Sequence, residues 1–162
     1  MPKTNLSVDV LAASKNRIEW TFDNFDRIYC SFSAGKDSGV MAHLVCQEAR
    51  KRGRKIGLFF LDWEAQFSHT IDFARLIFDE YKDCTDPYWV SVPVKTWNAC
   101  SMHEPEWTAW DEQKRNVWVR EKDDIAITKQ IRLFEGSFAS SDYADNAFFF
   151  VGRYFLEKED YG

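Results

Sequence analysis

The stretch Ser31-Phe32-Ser33-Ala34-Gly35-Lys36-Asp37-Ser38-Gly39-Val40 gathers residue types suited to holding an oxyanion. Ser33 and Ser38 bring hydroxyl donors, Lys36 a cation and Asp37 a carboxylate. Gly35 offers a backbone shape, and a close approach, that a side chain would hinder. If a helix leaves this loop, its first turn adds unpaired N–H groups and the positive end of the helix dipole. Residues Ser33, Ala34, Gly35, Lys36, Asp37 and Ser38 therefore read as a phosphate cradle. Lys36 and Asp37 are its candidate catalytic pair. A carboxylate beside an anion makes sense if Asp37 orients loop amides or holds a Mg²⁺ that bridges phosphates; it also reads as an ordinary helix cap. The spacing is not that of a Walker A loop, which needs Gly-x-x-x-x-Gly-Lys-Ser/Thr.

The elements around the loop fit this reading. Arg27–Ser33 is β-branched and aromatic and predicts a strand ahead of the loop. Val40, Met41, Leu44 and Val45 mark a helical face behind it, running towards Arg52, and Gly53 is placed to end that helix. Upstream, Ser7 as N-cap, Asp9 in the first turn and a face of Val8, Leu11, Ile18 and Phe22 predict a helix over about Val8–Asn24. Downstream, the apolar run Lys55–Leu61 ending at Asp62 predicts a strand covered on both faces. Ser68 caps a helix carrying Ile71, Ala74, Ile77, Phe78 and Tyr81. Asp86-Pro87 punctuates, and Tyr88–Val94 forms a third strand that frays at Pro93. The alternation predicts an α/β fold, a parallel sheet with helices on both faces and right-handed crossovers. The loop then follows the first strand of a βαβ pattern, where ligands sit in open α/β sheets.

Beyond Val94 the pattern weakens. Trp97, Trp107, Trp110 and Trp118 stand among polar residues, Asp123-Asp124 opens a helix through Phe134, 136–145 reads as loop, and 147–156 fits strand or helix. A length of 162 residues fits one domain, 1–162, with its core at 7–122 and a less regular extension at 123–162.

A formal net charge of −5 and the lack of a basic stripe argue against direct nucleic-acid binding. The one basic cluster, Arg50–Lys55, lies at a helix C-terminus, where cations complement the dipole. Cys30, Cys46, Cys84 and Cys100 form no C-x-x-C pair. With His43, His69 and His103 they make no metal-ligand spacing, so no structural zinc is expected. With no charged-then-apolar leader and no long apolar run, the expectation is a cytoplasmic protein with free thiols and no membrane association. Cys30 reads as a buried hydrophobe, and His43 and His69 as structural. Glu64 reads either as a cation or substrate contact or as a solvated loop acid. Trp107 and Trp110 read as cleft wall or as packing. Aromatics at 17% are split in the same way between core and a ligand or partner surface.

The loop is similar to the PP-loop signature Ser-x-Gly-x-Asp-Ser, met here by Ser33, Gly35, Asp37 and Ser38. The stretch SFSAGKDSGVMAHLV resembles the PAPS reductase-like and ATP sulfurylase small-subunit branch of that superfamily. Asp62 matches the acidic residue that commonly ends the second strand in the family. LFFLDWEAQFSHTIDF, DPYWVSVPV, EPEWTAW and VWVRE are similar to the immunoglobulin-binding regulator A group. The resemblance covers roughly 7–122. It implies an adenine nucleotide alpha hydrolase-like fold with ATP or PAPS (3′-phosphoadenosine 5′-phosphosulfate) on the loop, and Mg²⁺ as cofactor. By position it nominates Ser31, Phe32 and Ser33, then Phe60, Leu61 and Asp62, for adenine and ribose.

The departures from the family are also informative. Ala34 stands where the family often has Gly. The Glu-Cys-Gly-Leu-His motif of PAPS reductases is missing. Ile131–Ser137 echoes the family's Gly-Ile-Arg-x-x-Glu-Ser element only faintly. Larger relatives run on past this length, so the expectation includes a truncated second half: a short version, a fragment, or a form completed by a partner. Two functions follow from the resemblance. One is ATP pyrophosphatase/adenylation or sulfonucleotide chemistry. The other is a non-catalytic nucleotide-sensing module acting with a ParB/sulfiredoxin-like protein.

Overall fold

Helix α1, Val10–Asn24, starts later than its apolar face suggests, because Asp9 rather than Ser7 caps it. The Asp9 carboxylate accepts the Ala12 N–H at 2.8 Å, and a carboxylate is a good N-cap. The computed structural model describes residues 7–98 and 101–126. In order they form α1, β1 (Tyr29–Ser31), α2 (Lys36–Arg52), β2 (Ile56–Leu61), α3 (Ser68–Glu80), β3 (Thr85–Val90), β4 (Val94–Trp97), β5 (Glu106–Ala109) and a 3-10 turn over Glu112–Val117.

Strands β1, β2 and β3 form a parallel sheet in that order, with Cys30 opposite Leu58 and Phe59 opposite Tyr88. The expected parallel sheet flanked by helices is therefore present. The expected break at Asp86-Pro87 is not. Pro87 lies inside β3 opposite Leu58. Among the described residues β3 pairs only with β2, and an edge strand tolerates a missing N–H. The chain breaks at Ser91–Pro93, where the third strand is expected to fray, and beyond it Val94–Trp97 pairs antiparallel with Glu106–Ala109. That hairpin is what the scattered Trp residues conceal.

Helix α2 lies on the sheet through small residues. Gly39, Ala42, Cys46 and Ala49 are buried, whereas Val40 and Met41, two of the large residues that define its apparent apolar face, are exposed. Small side chains let the helix axis approach the strands closely. Gly39 is needed for this, since a Cβ there would meet the Phe73 ring of α3 at 3.0 Å. In α3, Ile71, Ala74, Ile77 and Phe78 are buried as their spacing predicts, but Ser68 is the first helical residue and Phe67 the N-cap. In α1 only Phe22 is fully buried; Ile18 is half-buried and packs on the core, and Val8 and Leu11 are exposed.

The buried apolar side chains of all three helices join Cys30, Phe32, Leu58, Phe60 and Trp89 in one cluster, so the described helices share one face of the sheet and not both faces as expected. The other face carries Phe59, Tyr88 and Val90, packed with Val92, Val94, Leu61 and Trp63.

Gly53 ends α2 in the left-handed conformation, φ 62° and ψ 29°, as expected. The basic cluster before and after it is structural. Arg50 pairs with Asp83, Arg52 with Glu48 and Asp23, and Lys55 with Asp86. Arg54 donates to the carbonyls of Phe22, Phe25 and Asp26. No helix among the described residues is long and apolar enough to cross a membrane. The expected helix over 123–134, the loop 136–145, the 147–156 segment and the Ile131–Ser137 echo lie largely or wholly outside the described residues, as does Cys100.

Candidate functional site

The parallel register brings the loops after β1 and β2 to the same end of the sheet. Phe32 extends the first strand by one bond, its N–H donating to the Phe59 carbonyl at 2.7 Å. The chain then turns at Ala34, whose φ is 58°. The unusual backbone thus falls on Ala34 and not on Gly35, which is extended at φ −81° and ψ 165°. This left-handed position explains why glycine is frequent there in the resembling family. A Cβ on Gly35 would lie 3.5 Å from Ser33 Oγ and 3.9 Å from Ser38 Oγ, ordinary contact distances. The fold tolerates a side chain at Gly35, so its glycine is explained by access to the loop.

The two serines shape this loop. Ser38 Oγ donates to the Gly35 carbonyl at 3.1 Å and accepts the Ser33 N–H at 3.3 Å, and the two hydroxyl oxygens are 2.9 Å apart. The Ser38 proton is used on Gly35, so Ser33 donates to Ser38. Both hydroxyls are engaged within the loop and do not stand free as donors.

Gly35 is the N-cap of α2, and among the described residues no side chain caps that helix. Asp37 does not serve as the cap. It lies in the first turn, where its carboxylate accepts from Lys36 Nζ at 2.5 Å. Both side chains are almost fully exposed, at 88% and 89%. The structure therefore brings Ser33, Ala34, Gly35, Lys36, Asp37 and Ser38 into one turn at an uncapped helix N-terminus. A helix start of this kind attracts anions.

The strand-end residues divide. Ser31 is exposed and Leu61 half-buried. Phe32 and Phe60 are core side chains, with ring centroids 6.2 Å apart. Their rings belong to the core.

Asp62 is as enclosed as these two rings. Its side chain has no exposure. Oδ1 accepts the Glu64 N–H at 2.9 Å and pairs with Arg120 Nη2. Oδ2 accepts Trp89 Nε1 at 2.9 Å and Ser91 Oγ at 3.0 Å. Its lone pairs are all engaged within the fold.

Glu64 is not a solvated acid. It is buried, holds φ 63°, and accepts the backbone N–H groups of Trp110 at 2.6 Å and Val119 at 3.3 Å. Trp110 is buried as well, and its Nε1 donates to the Asp62 carbonyl at 2.6 Å. Asp62 and Glu64 thus clip the 110–120 segment onto the end of β2. Between this clip, the β4–β5 hairpin and the 3-10 turn lies a cavity of about 400 Å³, walled in part by Trp107 and Trp118.

Arg120 was not among the residues expected to matter. Its Nη2 holds Asp62, its Cζ lies 5.0 Å from the Trp110 ring centre, and its Nε and Nη1 are buried with no acceptor among the described residues. The stretch VWVRE contains it, but only its place against Asp62 shows the role.

The described thiols are poor nucleophiles. Cys30, Cys46 and Cys84 are free and buried. Burial pushes the Cys30 thiol up to about 12 and raises Cys46 and Cys84 too. His43 bonds Tyr81 and Gln47, the structural reading. Among the described residues no group of three or more His, Cys, Asp or Glu is placed to hold a metal.

The model of the phosphoadenosine phosphosulfate reductase domain matches residues 27–128, more than half of the chain. Among curated proteins, Uncharacterized protein YbdN of Escherichia coli (strain K12) is 42% identical over 127 residues, 78% of this chain and 31% of that protein. The chain therefore spans less than a third of that relative's length. No solved structure matches it.

Proposed function

The chain belongs to the phosphoadenosine phosphosulfate reductase domain family, and on that premise we propose that it binds an adenine nucleotide, ATP or PAPS, with the phosphate or phosphosulfate group on residues 33–38. The observation that carries this is the uncapped N-terminus of α2, entered through a left-handed Ala34 at the carboxyl end of a parallel strand. Ser31, Phe32 and Leu61 contribute to the adenine side through exposed surface or backbone. Asp62 acts indirectly, by holding the loop after β2.

With ATP on the loop, the reaction that suits this geometry is adenylation. An acceptor oxygen attacks the α-phosphorus, the bond to the β-phosphate oxygen breaks, and pyrophosphate leaves. The first-turn N–H groups of α2 and the Lys36 ammonium hold the charge that develops on it. Asp37 is free to leave Lys36, and a single exposed carboxylate matches the usual protein share of a Mg²⁺ bound mostly by phosphates and water. Such an ion would supply charge neutralisation at the phosphates. With PAPS on the loop, the same groups would hold the phosphosulfate. Thiol chemistry by Cys30, Cys46 or Cys84 is disfavoured because all three are buried and protonated. On this reading the matched residues 27–128 act in the cytoplasm as a nucleotide-binding domain.

A second reading is a nucleotide-sensing module that acts with a ParB/sulfiredoxin-like protein. The exposed Trp20, stacked edge-on to the exposed Phe25 with ring centres 6.0 Å apart, favours it as a contact surface. Calorimetry of ATP, AMP and PAPS, with and without Mg²⁺, on the parent and Asp37→Ala tests the first reading. Mg-dependent ATP binding lost in the variant supports adenylation, and a preference for PAPS supports sulfonucleotide chemistry. A chain that binds nucleotide but releases no pyrophosphate with any acceptor, and associates with the partner only when nucleotide is present, supports the second.

A further inference from the structure

The cavity behind Glu64 lies at the same end of the sheet as residues 33–38, since Glu64 and Ala65 directly follow β2 and its Asp62. Ala65, Trp107, Val117, Trp118 and Val119 supply its apolar walls. At about 400 Å³ it falls within the ~300–1,000 Å³ range typical of small-molecule pockets.

Its polar lining is uneven. Glu64 spends both carboxylate oxygens on the N–H groups of Trp110 and Val119. Asp111 accepts the Gln113 N–H with Oδ1, and its carbonyl takes Trp118 Nε1. Nearby Arg115 and Lys122 are paired with Glu121 and Glu112. Lys114 differs: its ammonium is in no ion pair among the described residues. A kink at φ −111° and ψ 22° sets Lys114 off from its turn, and it lines the cavity.

We propose that this cavity is the acceptor pocket of the site, and that it takes a small, ring-bearing apolar carboxylate. The ring packs against Trp107 and the valines, and the carboxylate pairs with Lys114. The place of this ligand in a reaction rests on the nucleotide reading, whereas its binding stands on the cavity alone. With ATP on the loop, a carboxylate oxygen forms the bond to the α-phosphorus, and the bond to the β-phosphate oxygen breaks. The products are an acyl adenylate and pyrophosphate, with no change of oxidation state.

The test follows the indole N–H signals of Trp107 and Trp118 by NMR during titration with benzoate, 3-phenylpropionate and indole-3-acetate, each against its primary amide. At least one acid is expected to shift both signals saturably and to bind at least tenfold more tightly than its amide. Lys114→Met, an exposed substitution, should bring the acid down to the affinity of the amide. Gly35→Val should bind the acid as the parent does, which separates this pocket from the loop. Equal affinity for acid and amide, unmoved indole signals with every probe, or an acid affinity unchanged in Lys114→Met would overturn the proposal. An acid that binds without eliciting pyrophosphate from ATP would sink the adenylation reading and leave the pocket standing. ATP binding without any acid binding would do the reverse.

Discussion

The carboxylate of Glu64 accepts the backbone N–H of Trp110 at 2.6 Å, and both residues hold left-handed backbones, with φ of 63° and 56°. Two uncommon conformations, far apart in sequence, are thus locked to each other at the carboxyl end of the parallel sheet. Such conformations persist where the surroundings over-determine them, and they cluster at functional sites. Here the lock holds the 110–120 segment over the end of β2 and builds the wall of the cavity.

Breaking the lock should be costly. Glu64→Ala strips the acceptor from the Trp110 N–H, which belongs to a fully buried residue. An orphaned buried donor costs about 1–3 kcal/mol. Urea unfolding should show a loss in that range, and Glu64→Gln, which keeps one carbonyl acceptor, should lose less. An unchanged midpoint for Glu64→Ala would mean that the clip is not formed.

Asp62 should matter far more for stability than for nucleotide affinity. Asp62→Asn breaks a buried pair with Arg120, and removing one partner of such a pair costs about 3–5 kcal/mol. Below its unfolding midpoint, the variant should bind nucleotide within about threefold of the parent, an energy difference of roughly 0.7 kcal/mol. A much larger loss of affinity with the fold intact would restore Asp62 to direct ribose contact.

Ala34→Gly should stabilise the protein. A non-glycine residue in the left-handed region costs roughly 1–2 kcal/mol, part of which glycine gives back as extra freedom of the unfolded chain. The expected gain is about 0.5–1 kcal/mol by thermal or urea unfolding. Destabilisation would place the strain elsewhere in the loop.

Cys30, Cys46 and Cys84 should resist alkylation in the native protein. Burial disfavours the thiolate, so below the raised pKa, about 12 for Cys30, the thiol stays protonated and unreactive. Iodoacetamide at about pH 8, below even the ordinary thiol pKa, followed by peptide mass spectrometry should leave these three unmodified, and all should react once urea is added. Rapid native labelling of any of them would reopen thiol chemistry.

The loop after β1 was legible in the sequence because its signal is local: small polar residues between a β-branched run and a helical one. The strands were legible for the same reason, as unbroken apolar runs. What stayed hidden depends on contacts across the chain. The buried stripe of α2 is Gly39, Ala42, Cys46 and Ala49, and a search for large apolar residues passes over it. Pro87 reads as a breaker until β3 is known to be an edge of the described sheet. Asp62 and Glu64 looked like site acids because acids at strand ends often are. Their partners are distant in the chain: Trp89 and Ser91 lie 27 and 29 residues beyond Asp62, and Arg120, Trp110 and Val119 more than forty.

The central claim is that residues 33–38 hold the phosphates of an adenine nucleotide. Calorimetry of ATP and PAPS with the parent and with Gly35→Val tests it most directly. A Cβ at position 35 would lie 3.5 Å from Ser33 Oγ, an ordinary contact on an ordinary backbone, so the variant is expected to fold, which its circular dichroism spectrum checks. The account predicts that the parent binds at least one of these nucleotides and that Gly35→Val, folded and with an unchanged circular dichroism spectrum, binds neither. Equal binding by the two proteins would contradict it.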